Sequence, residues 1–215
     1  MQALTLLRIQ AHANRLANLR LHTAMAALSH ADLHATRTSF FPTLMATLNH
    51  ILRVDLYYID VLHGDGLARE TALGFLPDDT LAALAERQRA SDERLLCWLA
   101  AADAAVLDRT VHLPRPQGRI QRDASAHMLQ HLLMHQTHHR GQAHAMLSGT
   151  TVPPPPLDEF LCSRTEAALL QAAGQGHQAL EPPGRQGLPA RRGCSPPRQA
   201  QTHRGPAASA CIAEA

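Results

Sequence analysis

Five histidines fall between His127 and His139, in the run HMLQHLLMHQTHHRGQAHAML. Residues four apart on a helix stand one above the other, so His135 and His139 present two imidazoles to one point, a geometry suited to holding a metal ion. His131 lies on the same stripe one turn earlier. Met128, Leu132, His135, His139, Gln142 and Met146 follow an inward-facing spacing, which places the pair inside a packed structure rather than in solvent. Two imidazoles alone bind a divalent ion weakly, so a third ligand must come from another helix. His50 is the best candidate, because it stands in the body of an earlier helix beside Leu48, Ile51 and Leu52. Three imidazoles with no carboxylate or thiolate leave coordination positions open, the pattern of a catalytic site. Such a centre acidifies a bound water to a pKa of about 7 or holds a thiol as thiolate.

The chain has 15 histidines, so some pair at this spacing is expected by chance. His12, His22, His30, His34, His63, His112, His177 and His203 are read as surface or boundary residues. His138 points about 100° away from His139. It is open to three readings: support for a ligand, contact with a substrate, or part of an interface.

Four helices must position these groups. Leu4, Leu7, Ala11, Leu21, Met25 and Leu28 recur at helical spacing and predict a first amphipathic helix. Phe40 and Phe41 before Pro42 mark the entry to a second, with the aromatic pair stapling it to the core. Its stripe is Leu44, Leu48, Ile51, Leu52, Ile59 and Leu62, and Gly64 is its stop. Residues 65–77 read as loop; Pro77, Asp78 and Asp79 start a third helix with Leu81, Leu84, Leu95, Trp98 and Leu99 inward. Between Asp103 and Arg122, Pro114, Pro116 and Gly118 forbid regular helix, and the length suits a crossover. Asp123 is a candidate cap for the fourth helix, which runs to about Ser148. The result is an all-α four-helix bundle. Leu157 to Ala173 predicts a short fifth helix with Phe160, Leu161, Leu169 and Leu170, closing a domain over 1–173. Residues 174–215, rich in Pro and Gly with few large aliphatics, are expected to be a disordered tail.

Composition limits the function. The chain has 215 residues, 45% hydrophobic but only 3% aromatic, which favours helices over β-sandwiches. Its basic residues are all arginine, and a net charge of +2 with scarce aromatics argues against nucleic-acid binding. The arginines of the tail, Arg185, Arg191, Arg192, Arg198 and Arg204, offer at most weak polyanion contact. Cys97, Cys162, Cys194 and Cys211 suggest neither a zinc knuckle nor a disulfide framework. With no apolar run long enough for a bilayer and no signal-peptide block, a soluble cytoplasmic protein is expected.

LNHILRVD at Leu48 to Asp55, HLLMHQTHHRGQ at His131 to Gln142, and PPPLDEF at Pro154 to Phe160 together closely resemble the DinB/YfiT-like family of damage-inducible bacterial proteins. AHANRLANLRL resembles the first helix of that family, matching it at Ala13, Asn14 and Arg15, with His12 where an aromatic is usual. The resemblance covers roughly residues 5–168. It implies a four-helix bundle with a long crossover, usually a homodimer, holding one divalent ion (zinc, nickel or iron) through His50, His135 and His139. It also implies that Gly141, costly inside a helix by about 1 kcal/mol, serves close helix approach. The resemblance implies relatives that are metal-dependent hydrolases or thiol transferases that join a low-molecular-weight thiol to small electrophiles. The alternative is a non-catalytic, metal-stabilised bundle acting in stress or damage response. Asp55, Asp60, Asp92, Tyr57 and Tyr58 are candidates to orient a nucleophile, with Asp55 placed to support the site from five residues beyond His50.

Overall fold

The computed structural model describes residues 3–64 and 66–158. Helix α1 spans Ala3–Met25 and is followed by one turn, α2, at His30–His34. Ser29 and Asp32 close a reciprocal capping box at the start of α2. Helix α3 covers Leu44–His63, α4 Ala68–Gly74 and α5 Leu81–Ala101. Strands β1 (Thr110–Pro114) and β2 (Ile120–Ala124) form an antiparallel hairpin, and α6 runs Ser125–Leu147. The expected all-α bundle is present as α1, α3, α5 and α6.

Thr43 and Thr80 cap α3 and α5 through their hydroxyls, and Gly64 ends α3 at φ 71°. The start signal at Pro77–Asp79 therefore lies just before the true cap. Asp123 does not cap α6; the N-cap is Ala124, and the Asp123 carboxylate accepts from Ala124 N and pairs with His127. Two segments read as connection carry structure. Residues 68–74 form α4, which buries Ala68 and Ala72 against α3. The Asp103–Arg122 connection holds the hairpin in register Thr110↔Ala124 to Pro114↔Ile120, with Val111 and Leu113 buried. Tyr57 on α3 donates from its hydroxyl to Pro114 O at 2.7 Å, fixing the hairpin tip to the bundle.

Each of α1 and α3 packs chiefly against α5 and α6, so α1 and α3 stand on one diagonal and α5 and α6 on the other. The step from α5 to α6 is thus a true crossover, and the hairpin spans it. The core divides into two apolar clusters along the bundle. One holds Leu4, Leu7, Leu62, Leu99 and Leu129; the other holds Leu21, Met25, Leu44, Leu84 and Leu147. Between them lies a buried polar belt to which every long helix contributes. Arg140 Nη1 on α6 donates to Asn14 and Asn18 of α1, at 2.5 and 3.0 Å, and to Gln136 at 2.7 Å. Asn18 in turn donates to Asp92 of α5 at 3.1 Å, and Gln88 of α5 to Asp55 of α3 at 2.7 Å. Gln136 also donates to Asp55.

Among the described residues no helix is long and apolar enough to cross a membrane. The expected fifth helix at 157–173 is not begun at Leu157 and Asp158, and its remainder and the tail at 174–215 lie outside the described residues.

Candidate metal centre

Helix α3 carries His50 and α6 carries His135 and His139 beside the polar belt, because these two helices pack along their lengths. Each of the three imidazoles offers one ring nitrogen to a common point, and the three atoms all lie within 4.8 Å of one another. His50 Nε2 and His135 Nε2 are 2.9 Å apart. Two ligands at right angles on an ion with bonds of about 2.1 Å stand about 3.0 Å apart, so this spacing fits one divalent ion.

Tautomers favour the same reading. His139 Nδ1 donates to Gln142 Oε1 at 2.8 Å, which places its ring proton on Nδ1 and leaves Nε2 with a lone pair. The Gln142 amide then reaches His138 Nε2 at 3.2 Å, so His138 steadies the group that orients His139. His135 Nδ1 is buried without a hydrogen-bond partner.

Burial keeps these rings neutral. Desolvation, followed by the neighbouring His139, lowers the His50 pKa to about 4. His135, desolvated and crowded by His139, His50, His131 and His138, is lowered to about 3. Burial also lowers His139, against the opposing pull of its bond to Gln142. At neutral pH all three are lone-pair donors, the form that ligates a metal. A set of three neutral nitrogens suits zinc, nickel, iron, cobalt or copper rather than calcium or magnesium.

Phe41 covers one side of the cluster. Its ring centroid lies 4.3 Å from that of His50 and 5.6 Å from that of His139. The predicted staple is thereby corrected: Phe40 is 65% exposed, and Phe41 packs on the histidines. His131 is exposed and lies 6.2 Å from His135, with Tyr58 edge-on to it at 5.5 Å.

The structure does not bring the other candidates onto the cluster. Asp55 accepts from Gln88 and Gln136 in the polar belt and bonds none of the three histidines; its Oδ1 is buried without a partner. Burial and the neighbouring Asp92 raise the Asp55 pKa well above the carboxylate range. Asp92 is held by Asn18, Asn14 and Gln88, and Asp60 by Arg94 and Thr71. Tyr57 serves the hairpin. His22, expected at the surface, is 9% exposed. Gly141 faces open space, with nothing within 4 Å of where a Cβ would stand, so close helix approach does not explain it. It lines a groove of about 830 Å³ between α1 and α6, along with Ala13, Leu133, Met134, His138 and Leu157. None of His50, His135 and His139 lines that groove.

Phe41 and Gln142 are the residues that sequence reasoning missed. Gln142 carried a signal, standing three residues after His139, within reach on the same face. Phe41 carried none, since only the fold of the α2–α3 connection sets its ring on His50.

The model of the DinB family matches residues 3–173. The chain is 27% identical over 136 residues to Protein DinB of Bacillus subtilis (strain 168), an alignment covering 61% of this chain and 78% of that protein. The family match takes in all four long helices, the connection carrying Phe41 and every histidine of the cluster, and the chain belongs to the DinB family.

Proposed function

We propose that this chain is a metal-dependent enzyme in which His50, His135 and His139 hold one divalent ion, and that it activates water or a small thiol for hydrolysis or thiol transfer. The observation that carries the reading is the convergence of three neutral imidazole nitrogens within 4.8 Å, with no protein carboxylate or thiolate among them in the described residues. Bound there, the ion would supply Lewis acidity and lower the pKa of a water or thiol. The chain's own residues do the rest. Gln142 fixes the His139 tautomer, and Phe41 excludes water from one side of His50. His131, exposed one turn along the same seam, stands where a substrate group would lie, with the buried Tyr58 packed edge-on against it. The family resemblance extends the proposal to a cytoplasmic homodimer that takes a low-molecular-weight thiol and a small electrophile, with no nucleic-acid partner.

Elemental analysis of untagged protein after mild chelation and reconstitution tests the site. The wild type is expected to hold about one metal equivalent more than His139→Ala; equal content in the two removes the proposal. Thiol consumption with electrophiles, run beside ester and amide hydrolysis, then separates the two chemistries. The second reading is a non-catalytic bundle stabilised by its metal and acting in stress or damage response. It predicts that metal removal lowers Tm while both assays stay silent.

A further inference from the structure

Away from the cluster, α2 brings two more histidines together. His30 and His34 stand one turn apart with their rings stacked, centroids 4.3 Å apart and planes 24° from parallel. Stacking of this kind points both Nε2 atoms the same way. Both meet one residue, Asp79, just before the cap of α5. His30 Nε2 lies 3.0 Å from Asp79 Oδ2, and His34 Nε2 lies 3.0 Å from the Asp79 carbonyl and 3.6 Å from Oδ1. One donor atom from each residue falls within 4.8 Å of the others.

We propose that His30, His34 and Asp79 form a second divalent transition-metal site, joining α2 to the start of α5. Two imidazoles and one carboxylate make a donor set for zinc, nickel, cobalt or copper rather than for calcium or magnesium. The ligands sit on backbone already fixed by other bonds. The Ser29–Asp32 capping box sets the first turn of α2. The Asp78 backbone is gripped by Asn49, whose amide donates to Asp78 O at 2.9 Å while its oxygen accepts from Asp78 N at 2.7 Å. The Asp78 carboxylate pairs with Arg87 at 2.7 Å, and Thr80 caps α5 on the other side of Asp79. Little rearrangement is needed to admit an ion, because the imidazole protons now facing Asp79 move to Nδ1 and both Nε2 lone pairs turn to the metal.

This second site differs from the first in access. The His30 and Asp79 side chains are 60% and 78% exposed, so solvent fills the remaining positions and the ion exchanges freely. The first site is lined by buried histidines and holds a resident ion in the reading above; the second responds to the concentration of free metal. Its position gives that response a route. Asn49, which holds Asp78, is the neighbour of His50, and the connection from α2 to α3 carries Phe41 onto the His50 ring.

Zinc titration by calorimetry on the stripped full-length chain tests the proposal. His30→Ala/His34→Ala is expected to lose about one zinc equivalent relative to the wild type, and Asp79→Asn, which keeps a hydrogen-bond acceptor but no charge, to bind that equivalent more weakly. His112→Ala and His127→Ala serve as surface controls and keep the wild-type stoichiometry. Unchanged stoichiometry in the double variant, or an equal loss in the controls, overturns the site. Circular dichroism checks that each variant is folded. A zinc-dependent rise in Tm measured on His139→Ala, which lacks a ligand of the first cluster, provides an independent reading. The rise is expected to disappear on adding His34→Ala; its absence in His139→Ala, or its persistence with His34→Ala, overturns the proposal whatever becomes of the first site.

Discussion

Gln142 decides which nitrogen of His139 faces the cluster, because its carbonyl oxygen takes the Nδ1 proton at 2.8 Å. Removing that acceptor frees the imidazole to rotate and to place its proton on Nε2. Gln142→Leu is therefore expected to weaken zinc binding by ~10–100-fold with helicity unchanged, as read by competition with a coloured chelator. Unaltered affinity would mean that packing alone sets the tautomer. At this scale the sequence was informative about His135 and His139, because helical periodicity converts spacing directly into shared direction, and about His50 through its place among the apolar residues of another helix and the family resemblance. It was silent on Asp79. That residue meets His30 and His34 across a gap of more than forty positions, and nothing in local spacing reports such a meeting. It misled at Asp55, whose nearness to His50 along the chain suggested support for the site, whereas the fold turns it into the polar belt.

The hairpin shows what is lost at the level of elements. Prolines and a glycine between Asp103 and Arg122 correctly exclude α-helix, leaving only 3-10 turns at Ala104–Asp108 and Pro116–Gly118, but they do not exclude strands short enough to lie between them. β1 does alternate, with Val111 and Leu113 buried between more exposed neighbours, but β2 buries nothing fully and Ile120 is 55% exposed, so the two-residue period repeats too few times to announce a hairpin. Helix α4 was hidden for a related reason, since seven residues with two buried alanines make no stripe. The long helices were legible because each repeats its apolar spacing over several turns. Among the tertiary contacts that seat the hairpin is the Tyr57 hydroxyl on Pro114 O. Tyr57→Phe keeps the ring and deletes that bond. It is expected to cost about 1 kcal/mol in urea unfolding while leaving zinc stoichiometry intact. A loss of metal would show that the hairpin positions the cluster.

For the whole molecule, buried titratable groups set the acid limit. At pH 5 the folded chain keeps His22, His50 and His135 neutral, with pKa values lowered to about 4, 4 and 3 by burial above all. Unfolding returns each to about 6.5, so three protons are taken up. Asp92, raised by burial to about 6, and Asp55, which burial and Asp92 also raise, release protons on unfolding. Uptake exceeds release, and the lowered His131 and His139 add to it. Stability of the metal-free protein is then expected to fall as pH drops from 6.5 towards 4, with His22→Gln flattening the slope. Urea melts at pH 7 and 5 measure this, and a gain in stability on acidification would contradict it. The belt of Arg140, Asn14, Asn18, Asp92, Gln88, Asp55 and Gln136 has a different consequence. Cores of alanine and leucine are permissive of sliding, because one leucine fits nearly as well as the next. A slip of one helical turn, about 5.4 Å, would nevertheless set amides and carboxylates against hydrocarbon. The belt works as a key that admits one alignment of α3 with α6, and that alignment is what lets His50 face His135. A bundle with the belt replaced by leucines and methionines is expected to remain helical and to resist urea at least as well. It is also expected to lose the zinc of the His50, His135 and His139 cluster, since nothing then dictates which turn meets which.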